Sequence, residues 1–146
     1  MNDFLSKSKN LLLKEYRLRL IEIEIELHKA RHVRGDNRIQ RYFNSTPIRN
    51  AFARWMVYAV YKNKYFNITQ LSKGLYTNRQ TISSIIKDCE DEGYIIVRRD
   101  GKSVDCKAAP ILVEKMEEYC NWRRDLSKDI WESLLVLNTF EKNMLN

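Results

Sequence analysis

Glycine and proline are scarce, numbering 4 and 2 among 146 residues. Few breakers mean few turns, and few turns favour long helices. The three cysteines, Cys89, Cys106 and Cys120, are odd in number and form no CxxC pair. Neither a disulfide framework nor a zinc site is indicated, and a reducing cytoplasm fits as the location. No apolar run approaches the roughly 18 residues that cross a bilayer, so no membrane partner is expected. The N-terminus lacks a cationic head followed by a long apolar stretch, which argues against a secretory signal. There is no glycine-rich phosphate loop, no Ser-His-Asp set and no convincing pair of carboxylates. The sequence therefore predicts a non-enzyme with no cofactor.

What is present suits one folded domain. Hydrophobic residues make up 44% and charged residues 31%. A chain of this length buries about 70% of its unfolded surface. Lys and Arg outnumber Asp and Glu by 26 to 19, a net charge of +7. A basic excess fits a polyanionic partner, and a charge of this size also serves solubility alone.

Residues 3–33 contain no Gly or Pro. Leu13, Tyr16, Leu20, Ile23, Leu27 and Ala30 step by threes and fours, a heptad seam. Glu22, Glu24 and Glu26 interleave with apolar residues as in a strand, but the seam is far too long for one, so a helix is predicted. Ile21 and Ile25 widen its apolar surface beyond one stripe, which fits a dimer interface. Residues 34–46 read as a connection. Thr46 before Pro47 marks a helix start, with Ile48, Phe52, Trp55, Met56, Ala59 and Val60 facing the core. Asn67, with Gln70 three residues on, opens a short helix on the spacing of a capping box. Thr77, with Gln80 three residues on, opens another, buried through Ile82, Ile85, Ile86 and Cys89 and stopped by Gly93. Then Tyr94 to Arg99 is β-prone, Asp100-Gly101 reads as a hairpin turn, and Lys102 to Lys107 returns. Pro110 begins a helical region reaching about residue 143, with a bend near Leu126-Ser127. Its apolar side runs through Ile111, Leu112, Met116, Tyr119, Trp122, Leu126, Ile130, Leu134 and Leu137.

Helix, short turn, helix and two-stranded hairpin is the order of a winged helix-turn-helix. The segment from Thr77 to Lys87 carries no acid on its outer face, while Asp88, Glu90, Asp91 and Glu92 gather at the far end. Acids beside phosphate would repel it, so the polar N-terminal half is the end that would enter a major groove. Candidate DNA-binding residues on this helix are Thr77, Asn78, Arg79, Gln80, Thr81, Ser83, Ser84 and Lys87. Arg can grip guanine and Gln or Asn can grip adenine, while Ser and Thr bond bases or phosphates. Arg98, Arg99 and Lys102 around the hairpin tip suit phosphate or minor-groove contacts.

At these residues the chain resembles the MarR family of winged-helix transcription regulators. The likeness runs through Ile68-Thr-Gln-Leu-Ser, Asn78-Arg-Gln-Thr-Ile-Ser, Cys89-Glu-Asp-Glu-Gly-Tyr-Ile and Arg98-Arg-Asp-Gly. It covers about residues 48–118 in sequence and the whole chain in element order. The resemblance implies a mainly α winged helix-turn-helix with long N- and C-terminal dimerisation helices and one small β-hairpin wing. It divides the chain into an N-terminal dimerisation helix and connection (1–46), a DNA-binding region (47–109) and C-terminal dimerisation helices (110–146). It implies a homodimer on double-stranded DNA, whose two reading helices meet half-sites one helical turn apart, roughly 34 Å. Repression by covering promoter DNA is the expected mechanism, and a small-molecule effector is an open partner. Lys102 stands where an Asp-x-Arg wing would place Arg, which puts a deep minor-groove arginine in doubt.

Other signals have plainer readings beside the functional ones. His28 and His32 lie four apart and could hold a metal, but such pairs are mostly solvated, so no metal is predicted. Cys106, between Asp105 and Lys107, is the best candidate for a reactive thiol, with ordinary packing the stronger alternative. Trp55, Tyr58, Tyr61, Tyr65 and Phe66 could line a ligand pocket, though aromatics at helical spacing usually form core. Arg31, Arg34, Arg38, Arg41 and Arg49 form either a phosphate-contacting flank or a solvated surface. Two rival functions use the same residues: a DNA-binding protein for replication, partition or phage genome control, and a helical protein-interaction module that does not bind DNA.

Overall fold

An uninterrupted N-terminal run folds as the breakers' absence dictates. In a computed structural model, which describes residues 2–32 and 37–145, helix α1 spans Asn2–His32. The strand-like alternation of its glutamates does not prevail. Ile23 and Leu27 are buried, while Leu13, Tyr16 and Ala30 are partly shielded. Leu20 departs from the expected seam, being 36% exposed. The helix's natural period of 3.6 drifts against a sevenfold repeat, so a straight seam cannot keep every member covered.

The described residues form two compact units, one drawn from Met1–Val33 with Cys120–Asn146 and the other from Arg34–Tyr119. In the first unit α1 packs against the last helix of the chain, α7 (Lys128–Met144), which buries Leu137. Arg19 of α1 sits among Glu15 at 2.9 Å, Glu22 at 3.5 Å and Asp129 of α7 at 3.8 Å.

The second unit begins with a helix the sequence did not reveal. Within residues 34–46, read as a connection, Arg38–Phe43 form α2, capped by Asn37, and bury Ile39 and Phe43. Six residues are too few to display a helical period. Arg34 lies outside the described residues. Helix α3 (Pro47–Tyr61) starts as expected, with the Thr46 hydroxyl accepting from the Arg49 N–H at 3.1 Å. It buries Phe52, Ala53, Met56, Val57 and Ala59, with Trp55 and Val60 half-buried.

A two-residue strand, β1 (Phe66–Asn67), was also not expected. It pairs antiparallel with β3 (Ser103–Ala108), which pairs with β2 (Ile95–Asp100), giving the order β1-β3-β2. The predicted lone hairpin is therefore part of a three-stranded sheet. Asp100 faces Ser103 across the ladder, so the two-residue turn is Gly101-Lys102, one residue beyond the expected Asp100-Gly101. Gly101 takes φ +59° at the first turn position, where glycine meets no steric penalty.

Between β1 and β2 lie α4 (Ile68–Gly74) and α5 (Arg79–Asp91). Gly74 closes α4 for a packing reason: a Cβ there would meet the Trp55 indole at 2.5 Å. Phe52, Met56, Leu71, Ile82, Cys89 and Cys106 are wholly buried in one core under the sheet and helices. Helix α6 (Pro110–Leu126) adds Leu112 to that core, with Val113 and Met116 packed against it. Ile111 and Trp122, expected on its apolar side, are instead 42% and 37% exposed. The expected bend after Leu126 is a break at Ser127, whose hydroxyl donates to the Arg123 carbonyl at 2.7 Å.

Candidate nucleic-acid interface

The two helices before the wing are each started by an asparagine. Asn67 accepts from the Gln70 N–H at 2.8 Å while the Gln70 side chain accepts from the Asn67 N–H at 2.9 Å, the expected capping box. For α5 the cap falls one residue later than expected. Asn78, not Thr77, accepts from the Thr81 N–H at 2.7 Å. Thr77 is held in the preceding turn, its N–H bonded to the Ser72 carbonyl at 3.0 Å.

Helix α5 is sharply two-sided. Ile82, Ile85, Ile86 and Cys89 are buried. Asn78, Arg79, Gln80, Ser83, Ser84 and Lys87 are exposed, with Thr77 and Thr81 partly covered. Burying three isoleucines contributes roughly 1.5–3 kcal/mol each and fixes the helix's rotation. The polar side is thereby presented as one strip. Its N-terminal end carries the positive pole of the helix dipole and no carboxylate, which favours an anion there. The Arg79 guanidinium donates to the Thr69 hydroxyl, tying the first turn of α5 to the first turn of α4.

Three of the four acids at the other end have a partner on another element. Asp88 accepts from the Tyr42 hydroxyl at 3.0 Å. Glu90 is gripped by both terminal nitrogens of Arg99, at 2.8 and 2.9 Å. Glu92 takes Arg38 at 2.6 Å. Arg99's hydrogen bond holds the Glu90 carboxyl below the usual range, and Glu90 in turn raises the Arg99 guanidinium. Carboxylates at a helix C-terminus oppose its dipole, and these partners offset that.

Both wing arginines singled out from sequence are thus engaged within the protein. Arg98 pairs with Asp105 at 3.2 Å and lies over the Tyr65 ring at 4.1 Å. Lys107 approaches the same ring, at 4.7 Å to its centre. Lys102 is exposed at the turn and has no ion pair with the described residues. Sequence reading missed Thr69 as the partner of Arg79 and Tyr65 as the partner of Arg98. Only β1, too short to show alternation, brings Tyr65 beside the wing.

Cys106 is not a reactive thiol in this fold. It is wholly buried, and burial pushes its thiol up to about 12. Cys89 is likewise buried and raised to about 12, first by burial. Of the aromatics proposed for a pocket, Trp55 packs edge-on to Phe66 with ring centres 5.0 Å apart, and Tyr58 stacks on Phe66 at 6.1 Å. Tyr58 is about half exposed and Tyr61 more so. His32 bonds the His28 carbonyl through Nδ1 at 2.8 Å. Among the described residues no group of three or more His, Cys, Asp or Glu is arranged to hold a metal.

The chain matches no protein-family model and no curated protein. Solved structures do match it. The Staphylococcus aureus MepR–DNA complex superposes over 90% of this chain and 99% of MepR, with a TM-score of 0.59 at 13% identity. MepR described as a transcription regulator of the multidrug efflux pump MepA gives 0.60 at 14% identity over 89% and 94%. A MarR family protein from Bacillus stearothermophilus gives 0.52 at 17% identity over 97% and 98%. Helix-turn-helix, three-stranded wing sheet and long flanking helices together give this chain the winged helix-turn-helix fold of the MarR-family transcription regulators.

Proposed function

We propose that this protein is a sequence-specific regulator of transcription that binds double-stranded DNA as a homodimer and represses by covering promoter DNA. The observation that carries the reading is the polar strip of α5, exposed and acid-free over its N-terminal half. In this reading Thr77, Asn78, Arg79, Gln80, Thr81, Ser83, Ser84 and Lys87 face the major groove. Lys102 serves a phosphate beside the wing, where Arg98 and Arg99 reach phosphate only by giving up Asp105 and Glu90. A structural neighbour, MepR, is known in complex with DNA.

The dimer has its own support. Phe4, Leu11, Leu18 and Ile25 recur at intervals of seven on α1 and are 72%, 69%, 48% and 48% exposed. Ile21 lies beside this second stripe, and Trp131 and Leu135 are exposed on α7. A lone chain gains nothing from such apolar display, whereas a second copy would cover it.

Selection of bound duplexes from a random pool tests the reading. A two-fold symmetric consensus is expected, with binding that weakens steeply as salt rises. No enrichment, together with weak salt-insensitive binding, would favour a protein-interaction module.

A further inference from the structure

Tyr76 is badly placed for stability. It occupies the turn between α4 and α5 at φ +54°. Its side chain is 95% exposed and makes no hydrogen bond, ring contact or ion pair with the described residues. A bulky residue in the left-handed region is strained, and glycine would relieve it. Asn63 shares that region at φ +53°, but asparagine tolerates it. An uncontacted ring returns no burial to offset the strain.

The turn itself is firmly fastened. The Leu75 N–H bonds the Leu71 carbonyl at 2.9 Å, and the Thr77 N–H bonds the Ser72 carbonyl at 3.0 Å. Whatever side chain stands at position 76 is therefore presented in a fixed direction. Two peptide steps separate it from the cap of α5, so its Cα lies within about 7.6 Å of the Asn78 Cα. It stands at the end of α5 that carries the exposed, acid-free strip.

Resting on the proposed function, we infer that Tyr76 is a DNA-contacting residue at the edge of the groove that α5 enters. Its ring packs on the deoxyribose of one strand, and its hydroxyl donates to a phosphate oxygen. Tyrosine is among the side chains that bond phosphates. Its few torsions let it supply contact area at low entropic cost. Strain in the free protein is then the counterpart of a contact made only on the duplex.

The test compares Tyr76→Gly and Tyr76→Phe on the duplex enriched by the wild-type protein. Tyr76→Gly should melt at or above the wild-type temperature, because the strain is gone. Its dissociation constant should nevertheless rise by more than about tenfold, because the hydrogen bond to a charged group and the packing of the ring are lost together. Tyr76→Phe should fall between the two. The salt dependence should stay as in the wild type, since no charge is removed. Unchanged affinity in Tyr76→Gly, or a lowered melting temperature, overturns the inference while leaving the proposed function intact. A wild-type protein that enriches no duplex overturns both.

Discussion

Gln80 and Glu90 lie on the same helix with opposite prospects. Gln80 is exposed on the polar strip, where it can grip an adenine edge. Gln80→Ala should cost about 1–3 kcal/mol of discrimination between the selected duplex and a variant at one base pair. Equal preference before and after the change, in a competition assay, would remove Gln80 from the reading set. Glu90 instead occupies Arg99 through two hydrogen bonds. Glu90→Gln should release the guanidinium to phosphate, tighten binding to every duplex alike and steepen the log–log salt slope by about one. A slope that does not move would show that Arg99 cannot reach DNA. The same pair is sensitive to acid. Arg99 lowers the Glu90 pKa, so the bridge is fully present above the ordinary carboxylate range and is lost as pH falls through the lowered value.

At the scale of elements, the long and well-capped pieces were legible and the short ones were not. Thr46-Pro47 and Asn67 with Gln70 announced α3 and α4 because a cap needs particular side chains at particular spacing. The two-sided pattern of Ile82, Ile85, Ile86 and Cys89 fixed the rotation of α5, and with it the exposed strip. Helix α2 and strand β1 escaped because six and two residues carry no period. Both depend on tertiary partners, Tyr42 of α2 reaching Asp88 and Phe66 of β1 facing Cys106. The burial of Cys106 is the ordinary packing that the sequence already favoured over a reactive thiol, and only the strand pairing beside it was hidden. Adjacent capping residues left a one-residue ambiguity at α5, since Thr77 and Asn78 both suit the position. The structure makes the choice testable. Asn78→Ala should destabilise the protein by about 1 kcal/mol, and Thr77→Ala should do so by clearly less, read from urea denaturation midpoints. A larger loss for Thr77→Ala than for Asn78→Ala would place the cap back at Thr77.

At the scale of the whole molecule, the proposal requires two copies. Leu18 lies in the middle of the outer stripe of α1 and is half exposed. Leu18→Glu should leave α1 helical by circular dichroism yet shift sedimentation towards the single chain. The thermal midpoint of the wild type should climb with protein concentration, while that of the variant should not. A variant that sediments as the wild type does would move the interface elsewhere.

The regular interval of that stripe has a geometric consequence. Each residue turns an α-helix by about 100°, so a repeat of seven falls short of two full turns by about 20°. Following Phe4 to Ile25, the stripe slews by about 60° around the axis. Two such helices stay in register only by coiling about one another with left-handed sense. In the proposed dimer the repeat would thus set the handedness with which two copies wind together, and one residue inserted between Leu11 and Leu18 would throw the halves of the stripe onto different sides.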